Sequence, residues 1–206
     1  MLSIITFLLI FLNVYFVNST DKEALKAKME KEQVVPDVID QVPEHVVEVQ
    51  YPGGEKVDFG NELTPTQVKP QPTITWPADS DSYYTVLMVD PDAPSRKEPK
   101  YREILHWSVG NVLGNDVAKG ETFTDYVGSG APKGSGLHRY IFLIYKQNGK
   151  IEFNEPRIDN RTKTGRLNFS TRKYAEKYNL GQPIAGNFFQ AQFDEWVLEM
   201  ERTIKG

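Results

Sequence analysis

Hydrophobic positions follow two different periods along this chain, and the switch between them divides it. Between Thr20 and Glu32 the apolar residues Leu25 and Met29 stand four apart behind a Thr20-Asp21-Lys22-Glu23 capping-box pattern, which predicts a short amphipathic helix. The prolines of Val34-Val35-Pro36 and Val42-Pro43 stop that register. From His45 the pattern becomes one of short runs: His45 to Tyr51, Lys56 to Phe59, Gln67 to Trp76, Ser82 to Asp90, Ile104 to Val112, Thr122 to Val127 and Leu137 to Gln147. Turn formers such as Pro52-Gly53-Gly54, Pro77-Ala78-Asp79-Ser80 and Asn148-Gly149 separate them. Two of the runs, Tyr84 to Val89 and Tyr140 to Tyr145, are apolar or aromatic almost throughout and predict buried strands. The helical period returns at Ser170 to Asn179, with Ser170 as N-cap and Gly181 just past the end. It returns again at Gln192 to Ile204, where Phe193, Trp196, Val197, Met200 and Ile204 form an apolar stripe suited to docking on a sheet. Short strands between turn residues predict a mostly β fold, an antiparallel β-sandwich with short C-terminal α-helices, over βαβ units.

Composition narrows this picture. At 206 residues and 39% hydrophobic content the chain suits one domain, placed at residues 20–206. Met1 to Val17 is nearly all apolar and is followed by Asn18-Ser19, which predicts a signal peptide over residues 1–19 and a secreted, extracellular mature protein. In that compartment Asn160-Arg161-Thr162 and Asn168-Phe169-Ser170 are glycosylation sequons. A net charge of −4 argues against nucleic acid as a partner. There is no cysteine, so disulfides, thiolate catalysis and thiolate metal sites are excluded.

Chemistry concentrates where the two buried strands meet loops. Asp90-Pro91-Asp92-Ala93-Pro94-Ser95 follows the first strand, and Val127-Gly128-Ser129-Gly130-Ala131-Pro132-Lys133-Gly134-Ser135-Gly136 precedes the second. Proline fixes the backbone and glycine permits close approach, so such loops present fixed carbonyls, amides, carboxylates and imidazoles to a small ligand. Alone, Asp90-Pro91-Asp92 reads as a turn and His106 as a hydrogen-bonded core imidazole. The glycine-rich segment precedes a strand and matches neither the Walker nor the dinucleotide spacing. With no Gly-x-Ser-x-Gly, no His-Glu-x-x-His and only His45, His106 and His138, neither an enzyme nor a metal or cofactor site is expected. An Asp90 and His106 pair could exchange a proton, but no motif supplies an activated nucleophile. Arg157 to Lys177 carries seven basic residues against Asp159 and Glu176, a local charge of +5, and reads as a solvated face or as a contact for anionic headgroups.

The aromatic-led strand at Tyr84, the Asp90-Pro91-Asp92-Ala93-Pro94-Ser95 loop and His106, together with Asp125 to Gly130 and Gly136 to Tyr140, resemble the signature of the phosphatidylethanolamine-binding protein family, which includes Raf kinase inhibitor protein. The resemblance spans roughly Gln33 to Ile204 and is strongest between Tyr84 and Tyr145. It implies that Asp90 and His106 lie in an anion pocket, that Gly130, Ala131 and Pro132 wall it, and that His138 and Tyr140 stand beside them. Asp92 is expected to organise the loop. The Ala93-Pro94 and Arg102-Glu103 bonds are expected to be cis, and Glu201 is aligned with a position at the pocket mouth. The ligand so implied is a phosphatidylethanolamine or other phospholipid headgroup, or another small anion, bound by a monomer with peripheral membrane contact. Two other functions stay open: an inhibitor of a protease or kinase acting through surface loops, and a carrier of small hydrophobic molecules.

Overall fold

The computed structural model describes residues 20–204, so the predicted leader lies outside the described residues. A helix over residues 20–31 (α1) opens the described chain, followed by a short kinked turn at Val34–Asp37 (α2). The strands are β1 (His45–Val46), β2 (Glu48–Gln50), β3 (Thr73–Thr75), β4 (Tyr83–Asp90), β5 (Ile104–Leu113), β6 (Glu121–Thr124), β7 (His138–Lys146) and β8 (Ala185–Ala191). Helix α3 (Thr171–Lys177) lies between β7 and β8, and α4 (Trp196–Thr203) is the last element among the described residues. Six strands form one sheet in the order β1-β8-β7-β4-β5-β6, antiparallel except for the β1-β8 pair, while β2 and β3 form a second, two-stranded sheet. The fold is mostly β, as expected, but the second layer of the sandwich is small.

Both faces of the large sheet are buried, which is why β4 and β7 read as continuous apolar runs. Side chains alternate between two cores, as the pleat requires. Tyr84, Val86 and Met88 of β4, with Tyr140, Phe142 and Ile144 of β7, pack beneath the small sheet. Leu87 and Val89, with Ile141, Leu143 and Tyr145, pack against Leu25 and Met29 of α1 and Tyr174 and Ala175 of α3.

Several element bounds depart from the sequence pattern for local reasons. The Gln67 to Trp76 run keeps only Thr73–Thr75 as strand, because Pro70 and Pro72 have no amide to give a ladder. Lys56 to Phe59 keeps a single bridge, Gln50 to Lys56. Strand β8, which no run predicts, fills the gap between β1 and β7. Within it Asn187 donates from Nδ2 to the carbonyls of Val47 (2.9 Å) and Val57 (3.2 Å), while its Oδ1 accepts from Phe59 N (3.1 Å) and Phe188 N (2.9 Å). What reads as a turn residue is therefore a buried clip between β8 and the segment leading to the small sheet. Ser170 caps α3 by accepting from Lys173 N at 3.4 Å, as its sequence pattern predicts.

Candidate ligand-binding site

Three neighbouring strands bring their ends to one place. Strand β4 finishes at Asp90, paired with Ile104 at the start of β5, and β7 begins beside it at His138. His106 lies two residues into β5, so Asp90, His106 and His138 meet at the floor of a cavity of about 430 Å³. Gly130, Pro132 and Val127 wall this cavity, and Ala93-Pro94 borders it. Ala131 and Tyr140 are fully buried and do not line it. Tyr140 supports the wall from behind: its hydroxyl accepts from Gly130 N at 3.2 Å, and its ring meets the His106 ring edge-on with centroids 5.2 Å apart. Both Ala93-Pro94 and Arg102-Glu103 are cis, as the resemblance implied, and so is Val35-Pro36.

The two imidazoles are pushed in opposite directions. Burial lowers the pKa of His106, and the pull of Asp90 does not overcome it. Its Nδ1 lies 2.9 Å from the Val127 carbonyl, an acceptor only, so Nδ1 carries the proton and Nε2 keeps a lone pair. His138 is also buried, but the Asp90 carboxylate 2.8 Å from its Nδ1, with Asp92 further off, outweighs burial and raises its pKa. A neutral acceptor thus stands beside an imidazole that holds its second proton more tightly than usual because of the Asp90 carboxylate. The one proton of the neutral His106 is already engaged, so His106 meets a ligand as an acceptor.

Beneath the loop, Asp92 and Arg139 form a fully buried pair. Arg139 also donates from Nη1 to the carbonyls of Glu32 (2.7 Å) and Gln33 (2.8 Å), and from Nη2 to Asp37 Oδ2 (2.8 Å). Arg96 Nη2 reaches the Glu32 carbonyl as well, at 2.7 Å. The unpaired carbonyls that follow α1 are therefore satisfied by side chains of the site loops, and the cations suit that end of the helix dipole. Asp92 does organise the loop, through this guanidinium and by giving its amide to Asp90 Oδ1 at 2.7 Å.

Arg166 belongs to the basic segment that reads as a solvated face or as a contact for anionic headgroups, whereas it is buried against the pocket. It gives all its bonds to backbone carbonyls: Thr162 (2.8 Å), Leu105 (3.1 Å), His106 (3.2 Å), Asp125 (2.9 Å) and Asp159 (2.8 Å). Burial without a direct carboxylate partner lowers its pKa to about 10, which still leaves a cation behind His106 at neutral pH. Of the rest of the +5 segment, Arg172 pairs with Asp40 (2.8 Å) and Lys177 with Glu155 (2.6 Å). Lys163 is exposed and lines the cavity mouth, as does Glu201 of α4. Asn160 and Asn168 are both exposed. A larger groove of about 680 Å³ crosses the small sheet, but its ionisable lining, Glu48 and Lys56, is exposed to solvent.

The rest of the smaller cavity's lining is largely apolar: Ile104 borders the polar floor, and Leu167, Met200 and Ile204 form the roof. Of the predicted stripe, Met200 and Ile204 line the pocket, while Val197 is its fully buried member. Trp196 stacks under Lys69 Nζ at 4.7 Å and Phe193 under Lys133 Nζ at 5.3 Å, which fastens the helix and its lead-in to two loops.

With this geometry in place, comparison with known proteins is decisive. The family model described as phosphatidylethanolamine-binding protein matches residues 52–189. The chain belongs to this family. It is similar to a Drosophila melanogaster protein described as a candidate odorant-binding protein, A5, with 40% identity over 89% of this chain and 88% of that one. Among solved structures it is similar to the solution structure of CG7054, at 54% identity and a TM-score of 0.70 over 84% of this chain and 98% of that chain. It is also similar to a carboxypeptidase Y inhibitor solved in complex with its cognate proteinase, at 28% identity and a TM-score of 0.73 over 84% of this chain and 97% of that chain.

Proposed function

We propose that this protein is a secreted binding protein that seats a small anionic headgroup, such as that of a phospholipid, on the floor made by Asp90, His106 and His138. The observation that carries this reading is the neutral His106 Nε2 acceptor beside His138, whose pKa is raised by Asp90, and the buried Arg166 cation in one cavity. The buried guanidinium favours negative charge by its field, and the free imidazole nitrogen favours a group that brings a proton, such as a hydrogen phosphate ester or an ammonium. Glu201 and Lys163 at the mouth suit a zwitterionic head, a positive end toward one and a negative end toward the other. Secretion draws support from the apolar Met1 to Val17 segment and from the description of the fly relative.

A second reading is favoured by the roof. Ile104, Leu167, Met200 and Ile204 give the cavity an apolar half, which fits a carrier of small hydrophobic molecules with one polar end, in line with the odorant-binding description of the relative. The protease-inhibitor reading rests on the described inhibitor alone. Native mass spectrometry of the protein secreted by its own cells separates these readings. A co-purified phospholipid, displaced by phosphoethanolamine and lost in His106→Ala, supports the first. A co-purified neutral apolar compound supports the second, and failure of the protein to retain or bind either class overturns both.

A further inference from the structure

His138 uses both ring nitrogens, and its second partner is not part of the cavity floor. Nδ1 lies 2.8 Å from Asp90 Oδ2, while Nε2 lies 2.9 Å from Ser135 Oγ. A hydroxyl, an imidazole and a buried carboxylate therefore stand in sequence, the order that activates a serine for attack on an acyl centre. We propose that Ser135 is a nucleophile, with His138 as its base and Asp90 as the positioning carboxylate, and that it accepts an acyl or phosphonyl group from an activated ester.

Each part of the relay is held as its role needs. Asp90 is 3% exposed, and its other oxygen accepts the Asp92 amide at 2.7 Å, so the carboxylate cannot swing away. It can only accept, which places a proton on His138 Nδ1 and leaves Nε2 to exchange protons with Ser135. His138 is 1% exposed and opens β7, fixed by its pairing with Ala191 of β8. Ser135 is instead partly open to solvent. Its neighbours Gly134 and Gly136 have φ of 81° and 79°, and a Cβ at either would meet nothing within 4 Å, so the loop on both sides of Ser135 is uncrowded. Among the described residues, the amides of Gly134 and Gly136 have no hydrogen-bond partner, so neither is committed elsewhere in the fold.

The Ser135 hydroxyl also reaches the Pro132 carbonyl at 2.8 Å. With His138 protonated, Nε2–H donates to Oγ and the hydroxyl proton goes to Pro132. When Nε2 gives up its proton, the hydroxyl proton turns to the imidazole. In the reaction, Oγ attacks the carbonyl carbon, its proton passes to Nε2, and collapse of the adduct breaks the ester C–O bond. The leaving alkoxide takes the proton from Nε2, giving acyl-Ser135 and a free alcohol. No sequence motif marks Ser135, because the arrangement exists only once the loop folds Ser135 back over His138. The proposal does not depend on which headgroup the cavity holds.

The test uses a fluorophosphonate probe on the full chain, with tandem mass spectrometry to locate the adduct. The reference is a synthetic peptide of residues 130–139, which carries the same serine without Asp90. Adduct formation at Ser135 should be about 10²- to 10⁴-fold faster in the protein than in the peptide, the range that a positioned base supplies. It should vanish in Ser135→Ala and fall to the peptide rate in His138→Gln. Circular dichroism of Ser135→Ala, a change at a loop position, confirms that the loss is not one of fold. Labelling elsewhere, or Ser135 labelled no faster than in the peptide, overturns the proposal, whatever calorimetry says of headgroup binding.

Discussion

Arg139 grips Asp92 with two parallel bonds, Nη2 to Oδ1 at 2.6 Å and Nε to Oδ2 at 2.8 Å, and adds its own amide to Oδ2 at 2.9 Å, with neither side chain reached by solvent. Removing one partner strands the other charge in the interior. Asp92→Ala should therefore cost about 3–5 kcal/mol in urea unfolding, while a paired Asp92→Leu, Arg139→Met replacement should cost less than the single change. A double-mutant cycle checks this.

The same pair sets the acid limb of stability. Burial would raise the Asp92 pKa, but Arg139 overrides it and holds it below 3.8. A folded-state pKa below the unfolded one gives stability that is present above about pH 4 and is lost as pH falls through the folded value. Thermal unfolding scanned from pH 5 to pH 2 should show this loss in the wild type and a weaker slope in Asp92→Asn.

His106 predicts the pH dependence of binding. Its pKa is lowered, so at neutral pH it is an acceptor, and a phosphate ester dianion binds there with one proton taken up from solvent, held on the ester or on the ring. The complex then holds one proton more than the separated partners, so affinity for phosphoethanolamine should rise as pH falls from 8 toward 6. Calorimetry in buffers of different ionisation enthalpy should report proton uptake. His106→Ala should abolish that uptake and weaken binding by about 1.5–3 kcal/mol.

Gly130 leaves room for the roof. A Cβ there would lie 2.3 Å from Met200 Cε, the movable end of a flexible side chain. Gly130→Ala should cost about 1 kcal/mol, at the low end for overpacking, because methionine can turn aside. Binding of ligands with an alkyl part should weaken more than binding of the bare headgroup, and adding Met200→Ala should restore the stability.

Secretion and modification are tested together. Expression in insect cells should give a mature N-terminus near Thr20 and a mass decrease on glycosidase treatment, mapped to the exposed Asn160 or Asn168. A protein recovered from the cytosol with Met1 intact would remove the secreted reading.

The parts of the fold that were legible in the chain are those where one period dominates. Strands β4 and β7, buried on both faces, announce themselves as apolar runs, and the loops at their ends carry Asp90 and the Gly130 wall. Strand β8 was hidden because Gly186 and Asn187 look like a turn, and only the carbonyls of Val47 and Val57 explain a buried amide there. Arg166 was hidden for a related reason. In sequence it is one cation among seven, and its five carbonyl partners come from segments up to 61 residues away. The proton on His106 could not be assigned at all until the Val127 carbonyl was seen against Nδ1.

The cavity has a stiff floor and a yielding roof, and this difference reaches into kinetics. The floor is three hydrogen-bonded strand ends backed by the Asp92–Arg139 pair, whereas α4 rests on one fully buried residue, Val197, and on two lysine–aromatic contacts at the surface. Exchange of an occupant should then proceed by lifting α4 while the floor keeps its shape. Ligands that share a headgroup should be captured at similar rates and differ in how long they stay, with residence time lengthening as the alkyl part gains contact with Met200 and Ile204.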